Sequence, residues 1–571
     1  MPNKLVWEYL LAPPKEAVEA LTRSLFKEVL PWHRTIASLL LQRGIKTETE
    51  AKRYFNPTLK GLENPLLISG MQKAVSGIRF AIEREQVILI YGDYDVDGTC
   101  AVSILYLFLR RIYPNVITYV PDRYKEGYGV SKEGIDYADD NNVKLIITLD
   151  CGIQEHEKVN YAKGKGIGMI ITDHHTPPKD PPKALAVLNP KQKDCSYPYK
   201  ELCGAGIAFK LVQALCKEFD RPLEEAYEFL DLVALATCAD IVPLTGENRV
   251  LVAEGLRRIN DLDIPTPVLD LLLSSAKKPV RVRDLVFVAA PRINAAGRMA
   301  HAKAAINLLT CQKESELTQI EILNQQRKSL DREILEEALA QIADNHEEDA
   351  SATVVFSENW HKGVIGIVAS RLMETFYRPT IVLTKSGDVI AGSARSVEGY
   401  NLYEALSRCK DYLIQFGGHA AAAGMTLSLE QYPWFKSKFL WETALTLAKQ
   451  TPKIVLSTQM PLSEISYEFY KKLQDFAPFG PENMDPVFYA HEVLVKEVRV
   501  VGADKSHVRM ILTDATQRQE FVAVGFGLAP KKSLIESGQP LTIAYQLTEN
   551  EWQGRKSLEL ILKAVKPMTN E

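Results

Sequence analysis

Four short apolar runs, each closing on a polar group, constrain this chain more than any other feature. VILIYGD ends in Asp93, and Asp95 and Asp97 follow within YGDYDVDG. VKLIITLDCG ends in Asp150, IGMIITDHH in Asp173, His174 and His175, and ALAVLNP in Asn189 and Pro190. Runs this short and uniformly apolar read as strands buried on both faces. The intervening TCAVSILYLFLRRI and EHEKVNYAKGKG read as helices, and VITYVPD as a further strand. The alternation predicts a parallel sheet covered on both sides. In such sheets functional groups gather at the carboxyl ends of the strands, so these polar ends would share one edge.

Three aspartates at alternate positions repel one another and are costly to desolvate. One aspartate at a strand end is an ordinary turn residue, and an adjacent histidine pair is ordinarily structural. Recurrence at successive strand ends points instead to a positive partner. Carboxylates with one imidazole suit Mg²⁺ or Mn²⁺ better than zinc. Asp93, Asp95, Asp97, Asp150 and Asp240, with His174, supply donors for two ions bridged by one carboxylate. Asp150, on the middle strand end, is the choice for the bridge. Such an ion pair polarises a phosphoryl group and lowers the pKa of bound water, so phosphoester hydrolysis is the assignment.

Global charge adds little. Lys+Arg 68 against Asp+Glu 72 gives -4, so any basic surface is local. No apolar stretch approaches the ~20 residues of a membrane span, and MPNKLVWEYL lacks the pattern of a secretory signal. Eight cysteines form no Cys-x-x-Cys pair, which argues against zinc ribbons and for reduced thiols in a cytoplasmic setting.

The chain reads as an α/β multidomain protein. Residues 1–70 look helical and are expected to pack on a parallel-sheet domain at 71–305. A connecting helix occupies 306–349, with Ile320, Leu323, Leu330, Ile334, Ala338 and Ile342 at helical spacing. PLEEAYEFLDLVALATCA reads as one helix running into Asp240. SATVVF opens a smaller α/β domain at 350–452. Beyond AKQTPK, near 449–453, HVRMILTD, EFVAVGF, LTIAYQL and SLELILKAV predict a β-barrel at 453–571, with EWQG as a turn.

YDVDG with LDCG, TDHH and a later CAD resembles the DHH phosphoesterase superfamily. VLNPK, PRINAAGRM, GVIGIVASR, GSARS and GGHAAAAG are similar to its branch of single-stranded-DNA-specific exonucleases. The resemblance implies a DHH domain, a connecting helix, a DHH-associated domain and an OB-like barrel. It implies 5′-to-3′ release of mononucleotides from single-stranded DNA with Mn²⁺ or Mg²⁺, in recombination and repair. By that likeness Asp93, Asp95, Asp97, Asp150, His174 and Asp240 are metal ligands, and His175 with Asp150 is catalytic. Arg292, Asn294, Arg298, Ser393, Arg395, Gly417, Gly418 and His419 fall in motifs for substrate binding. Arg292 and Arg298 could equally be structural ion-pair partners, and Trp360 either a base-stacking or a core residue. A monomer is expected, with a single-strand-binding protein and a helicase as protein partners and no membrane. The alternatives are a phosphodiesterase for oligoribonucleotides or cyclic dinucleotides, and a non-catalytic single-strand-binding replication scaffold.

Overall fold

The computed structural model describes residues 5–261, 269, 272–311, 314–447 and 451–568. Residues 312–313, inside the expected connecting helix, and part of the expected boundary near 449–453 lie outside them. The chain divides into two units.

The first unit comprises the described residues of Leu62–Val242 and Gly246–Pro452. One sheet holds strands Val87–Gly92 (β1), Val116–Tyr119 (β2), Val143–Leu149 (β3), Gly168–Thr172 (β4) and Ala186–Leu188 (β5). All neighbours are parallel, in the order β2-β1-β3-β4-β5. Helices Val96–Ile112 (α1), Lys132–Asp140 (α2) and His156–Gly164 (α3) make the crossovers. β1 and β3 are buried almost throughout because helices cover both faces. The order reverses between β1 and β3, and a sheet of this topology places its ligand crevice at that switch. Gly204–Glu218 (α4) packs on α1.

The expected helix before Asp240 is two pieces, Glu224–Tyr227 and Leu230–Ala239 (α5). The break falls at Phe229, whose backbone leaves the helical region at φ -92° and ψ 2°. Ala290–Met299 (α6) carries the PRINAAGRM motif, and Glu314–Asp344 (α7) is the long helix. Ile334, Ala338 and Ile342 of α7 pack on Ile365–Phe376 (α8) and Val355. The second sheet comprises Thr353–Ser357 (β6), Thr380–Ser386 (β7), Val389–Arg395 (β8), Gln415–Gly418 (β9) and Ala422–Leu427 (β10), in the order β9-β10-β8-β7-β6. Trp360 is in the core, its Nε1 donating to Glu337 Oε2 at 2.7 Å.

The second unit joins the described residues of 4–61, 243–245 and 453–571. Strands Phe488–Val501 (β11), His507–Thr513 (β12), Glu520–Gly525 (β13), Leu541–Trp552 (β14) and Arg555–Pro567 (β15) close into a barrel. β11 pairs with both β12 and β14, and β13 runs parallel to β15, which is the OB connectivity. The first strand, β11, went unread in the sequence because charged residues interrupt its alternation.

The expectation that residues 1–70 pack on the parallel-sheet domain is corrected for 5–61. The apolar faces of helices Lys15–Leu25 and Pro31–Gln42 bury Leu21, Ile36, Leu39 and Leu40 in one core with Phe469, Phe476 and Phe488. Strand Val6–Tyr9 also pairs in parallel with Lys453–Leu456. Only the tail of the segment, beginning at Leu62, belongs to the first unit. Among the described residues no helix is long and apolar enough to cross a membrane.

Candidate metal and substrate site

The acids converge at the switch between β1 and β3. Asp95 caps α1, its Oδ1 accepting the Gly98 N–H at 3.0 Å. Gly98 lies so close to the strand end that a Cβ there would stand 2.6 Å from Asp93 O. Asp97, in the first turn of α1, accepts the Gly204 and Ala205 N–H groups at 2.6 and 2.8 Å. These open α4, whose N-terminus favours an anion. Asp150 follows β3 with φ 61°, a left-handed conformation that a residue with a Cβ adopts only under constraint. Asp240 ends α5.

Three groups of donor atoms each fall within 4.8 Å: Asp93, Asp95 and Asp150; Asp97, His174 and Asp240; Asp150, His174 and His175. The first two groups divide the six expected ligands between two centres, and the third joins them. His174 Nε2 lies 3.1 Å from Asp150 Oδ1, 3.6 Å from Asp240 Oδ2 and 3.8 Å from Asp97 Oδ2.

The electrostatics of this crowd call for a cation. Burial, then the neighbouring carboxylates, pushes Asp93 and Asp150 well above the usual range. Burial also raises Asp97, and with Asp97 and Asp95 it pushes Asp240 up to about 9. Burial lowers His174, keeping it a neutral imidazole. Asp93 Oδ1, Asp150 Oδ1, Asp240 Oδ2 and both His174 ring nitrogens are buried without a hydrogen-bond partner. Buried polar atoms are rarely left so. Lone pairs gathered this closely, on oxygens and one neutral nitrogen, fit divalent ions of the Mg²⁺ or Mn²⁺ type.

Asp173 has a different task. It accepts the Ile153 N–H at 2.9 Å and the His175 N–H at 3.1 Å, and its Oδ1 lies 2.7 Å from His175 Nδ1. Burial raises its carboxyl, but the bonds and charge of His175 outweigh burial and hold it below the ordinary value. Burial lowers His175, and Asp173 more than reverses that. Asn189 donates to His175 O at 2.9 Å, so the β5 end steadies the β4 end.

The expected substrate residues separate into groups. Arg298 donates to Gly363 O at 3.2 Å, reaching the DHH-associated domain. Arg395 donates to Ser393 Oγ at 3.1 Å. Burial and the charges of Arg123, Arg395 and Arg327 bring the Arg298 guanidinium down to about 10, and burial with Arg123 lowers Arg395. Arginines whose charges lower one another, with Asp331 and Asp93 as the acids they act on, suit an anion. β8 and β10 pair Arg395 with Ala422, so the exposed Gly417, Gly418 and His419 lie in the adjoining hairpin. Gly418 has φ 142°, and a Cβ there would press on Ala423 Cα at 2.6 Å. Asn294 is half-buried on α6. Arg292 falls outside the arginine group: its guanidinium bonds Glu321, Val288 O at 2.6 Å and Ser275 Oγ at 3.4 Å, the ion-pair alternative left open by the sequence.

Sequence reasoning missed the loop after β2, PDRYKEGYGVS. Arg123 lies 4.8 Å above the Tyr94 ring, and its charge acts on Asp93, Arg298 and Arg395. The Tyr124 hydroxyl donates to Arg298 O. The available signal was position, since this loop also follows the carboxyl end of a strand. All seven described cysteine side chains are free and buried.

Comparison with known proteins agrees with this architecture part by part. Residues 87–237 match the DHH family, N-terminal domain, and residues 349–443 the DHHA1 domain. The class is thus the DHH phosphoesterases with their associated domain. Residues 456–564 match the RecJ OB domain. The single-stranded-DNA-specific exonuclease RecJ of Bacillus subtilis is 35% identical over 98% of this chain and 71% of the relative. That of Escherichia coli is 32% identical over 93% of this chain and 95% of the relative. The chain belongs to the RecJ family. The crystal structure of RecJ from Thermus thermophilus in complex with Mn²⁺ superposes with a TM-score of 0.83 at 27% identity, covering 99% of this chain and 80% of that one.

Proposed function

We propose that this protein is a metal-dependent exonuclease that hydrolyses single-stranded DNA from the 5′ end to 5′-mononucleotides. The observation that carries the reading is the pair of donor groups joined through Asp150 and His174, with the arginine group around Arg298 in the same unit. Asp93, Asp95, Asp97, Asp150, His174 and Asp240 would hold two Mn²⁺ or Mg²⁺ ions, with Asp150 shared. When bound, such ions lower the pKa of water and polarise the phosphoryl group.

The chain's own residues supply orientation and charge. Arg123, Arg298 and Arg395 bind DNA phosphates as anions. Ser393, Asn294 and the backbone at Gly417 and Gly418 add polar contacts, with His419 beside them. Asp173 holds His175 by Nδ1 and so orients its imidazole beside the scissile phosphate. Water oxygen adds to phosphorus, the P–O3′ bond breaks, the 3′-oxygen takes a proton from solvent, and the shortened strand keeps a 5′-phosphate. The OB-type barrel binds single-stranded DNA. Recombination and repair, a cytoplasmic location, a monomeric state, and a single-strand-binding protein and helicase as partners follow from this reading as expectations.

The test is release of mononucleotides from 5′-labelled single-stranded DNA with Mn²⁺, compared with blunt duplex and dinucleotides. Release from the single strand and little from duplex is expected. Preferred turnover of dinucleotides would favour a small-substrate phosphodiesterase, and binding without turnover a scaffold.

A further inference from the structure

One tyrosine beside the ligands is explained by neither the acid set nor the arginine group. Tyr128 stands in the loop between β2 and α2, flanked by Gly127 and Gly129 with φ 87° and 85°. Side chains other than glycine rarely adopt that conformation, so the chain bends sharply on both sides of this one residue. The loop is pinned as well as bent. Glu126 Oε1 accepts the Asp122 N–H at 2.7 Å, and its Oε2 accepts the Tyr119 and Ser131 hydroxyls at 2.8 and 2.5 Å. The buried Tyr91 hydroxyl donates to Gly129 O at 3.0 Å.

This framework delivers a ring that is 54% exposed but whose hydroxyl is engaged. The hydroxyl lies 3.3 Å from Asp150 O, and 3.3 and 3.4 Å from His175 Nδ1 and Nε2. Asp173 holds His175 Nδ1 at 2.7 Å, which leaves Nε2 for the phenol. The Tyr128 ring stands at 79° to the imidazole, with centroids 5.9 Å apart, so the hydroxyl addresses His175 without stacking on it. Asp150 is the residue whose left-handed backbone needs holding.

We infer that Tyr128 is a positioning residue whose hydroxyl bridges the main chain of Asp150 and the imidazole of His175, tying the β3 and β4 ends together. It acts through those two residues. The inference rests on the exonuclease reading above. Groups that orient ligands from behind typically change metal affinity or activity by about 10- to 100-fold when removed.

The experiment compares wild type with Tyr128→Phe and Tyr128→Ala. It measures kcat and KM on 5′-labelled single-stranded DNA with Mn²⁺, and Mn²⁺ affinity by calorimetry on DNA-free protein. Both variants are expected to lose about 10-fold in kcat, with KM within about two-fold of wild type, and to bind Mn²⁺ about 10-fold more weakly. Their circular dichroism and melting should match wild type, because the ring is half exposed. A Phe variant equal to wild type in kcat and Mn²⁺ affinity would overturn the inference. Impairment of the Ala variant alone, through KM, would overturn it too, by assigning the ring and not the hydroxyl. If wild type released no nucleotide, the exonuclease reading would fail while the Mn²⁺ isotherms still decided the positioning role.

Discussion

Asp240→Asn, studied in protein stripped of divalent ions, isolates the cost of the crowded acids. Asp240 Oδ2 is buried without a partner, and the side chain is 21% exposed. Asparagine is nearly isosteric, so it breaks no hydrogen bond at that oxygen. Burial, with Asp97 and Asp95, pushes this carboxyl up to about 9, against ~3.9 in an unfolded chain. Between those values the folded state binds a proton that the unfolded state has lost. A raised folded pKa means stability that is full below about pH 4 and is lost as pH rises toward about 9. Near pH 7 the difference is about three units, a ceiling of ~4 kcal/mol at ~1.4 kcal/mol per unit. The acids share their repulsion and relax together, so about 2 kcal/mol is the working figure. The metal-free variant should therefore be about 2 kcal/mol more stable than wild type near neutral pH. The gap should close toward about pH 4. In Mn²⁺ the order should reverse, because wild type keeps one more anionic donor. Urea denaturation followed by circular dichroism, in EDTA at several pH values, reads this directly. A variant no more stable than wild type in EDTA, or a gap that ignores pH, would refute the claim that uncompensated carboxylates strain the metal-free site.

Asp150→Ala should abolish cleavage and leave single-strand binding measurable by fluorescence anisotropy, since it removes the donor common to two groups. Gly204→Ala would place a Cβ 2.6 Å from Asp150 Cβ; a loss of about 1–3 kcal/mol in urea denaturation, with weaker Mn²⁺ binding in calorimetry, is expected. Arg298→Ala should raise KM and reduce the slope of log affinity against log salt by about one, measured by salt titration of DNA binding. Lys210→Met removes the only cation paired with the buried Glu247 carboxylate among the described ion pairs, leaving it the Tyr197 hydroxyl and the Glu63 N–H, and denaturation should show a loss of about 3 kcal/mol.

Much of the site was legible because each ligand sits at the end of a recognisable apolar run. Asp93, Asp150 and His174 could be assigned to one sheet edge without coordinates, since parallel strands all end on the same side. Arg292 and Arg298 could not be told apart. Both lie on α6, six residues apart, and only packing shows that Glu321 takes one while the other meets Arg123 and Arg395. Arg123 and Tyr128 carry no spacing signal, because a loop can place its side chains almost anywhere.

The amino-acid pattern by itself determined the elements whose burial is periodic: the parallel strands, the long helix, most of the barrel and the acidic strand ends. Burial of a strand on two faces leaves a local trace in composition. Tertiary structure alone decided the partner of the 5–61 helices, which bury their apolar faces with Phe469 and Phe476. It also decided which arginines stand together, and the grip of a loop tyrosine on Asp150. Those are choices among chemically equivalent surfaces far apart in sequence, and complementary shape selects between them where local pattern cannot.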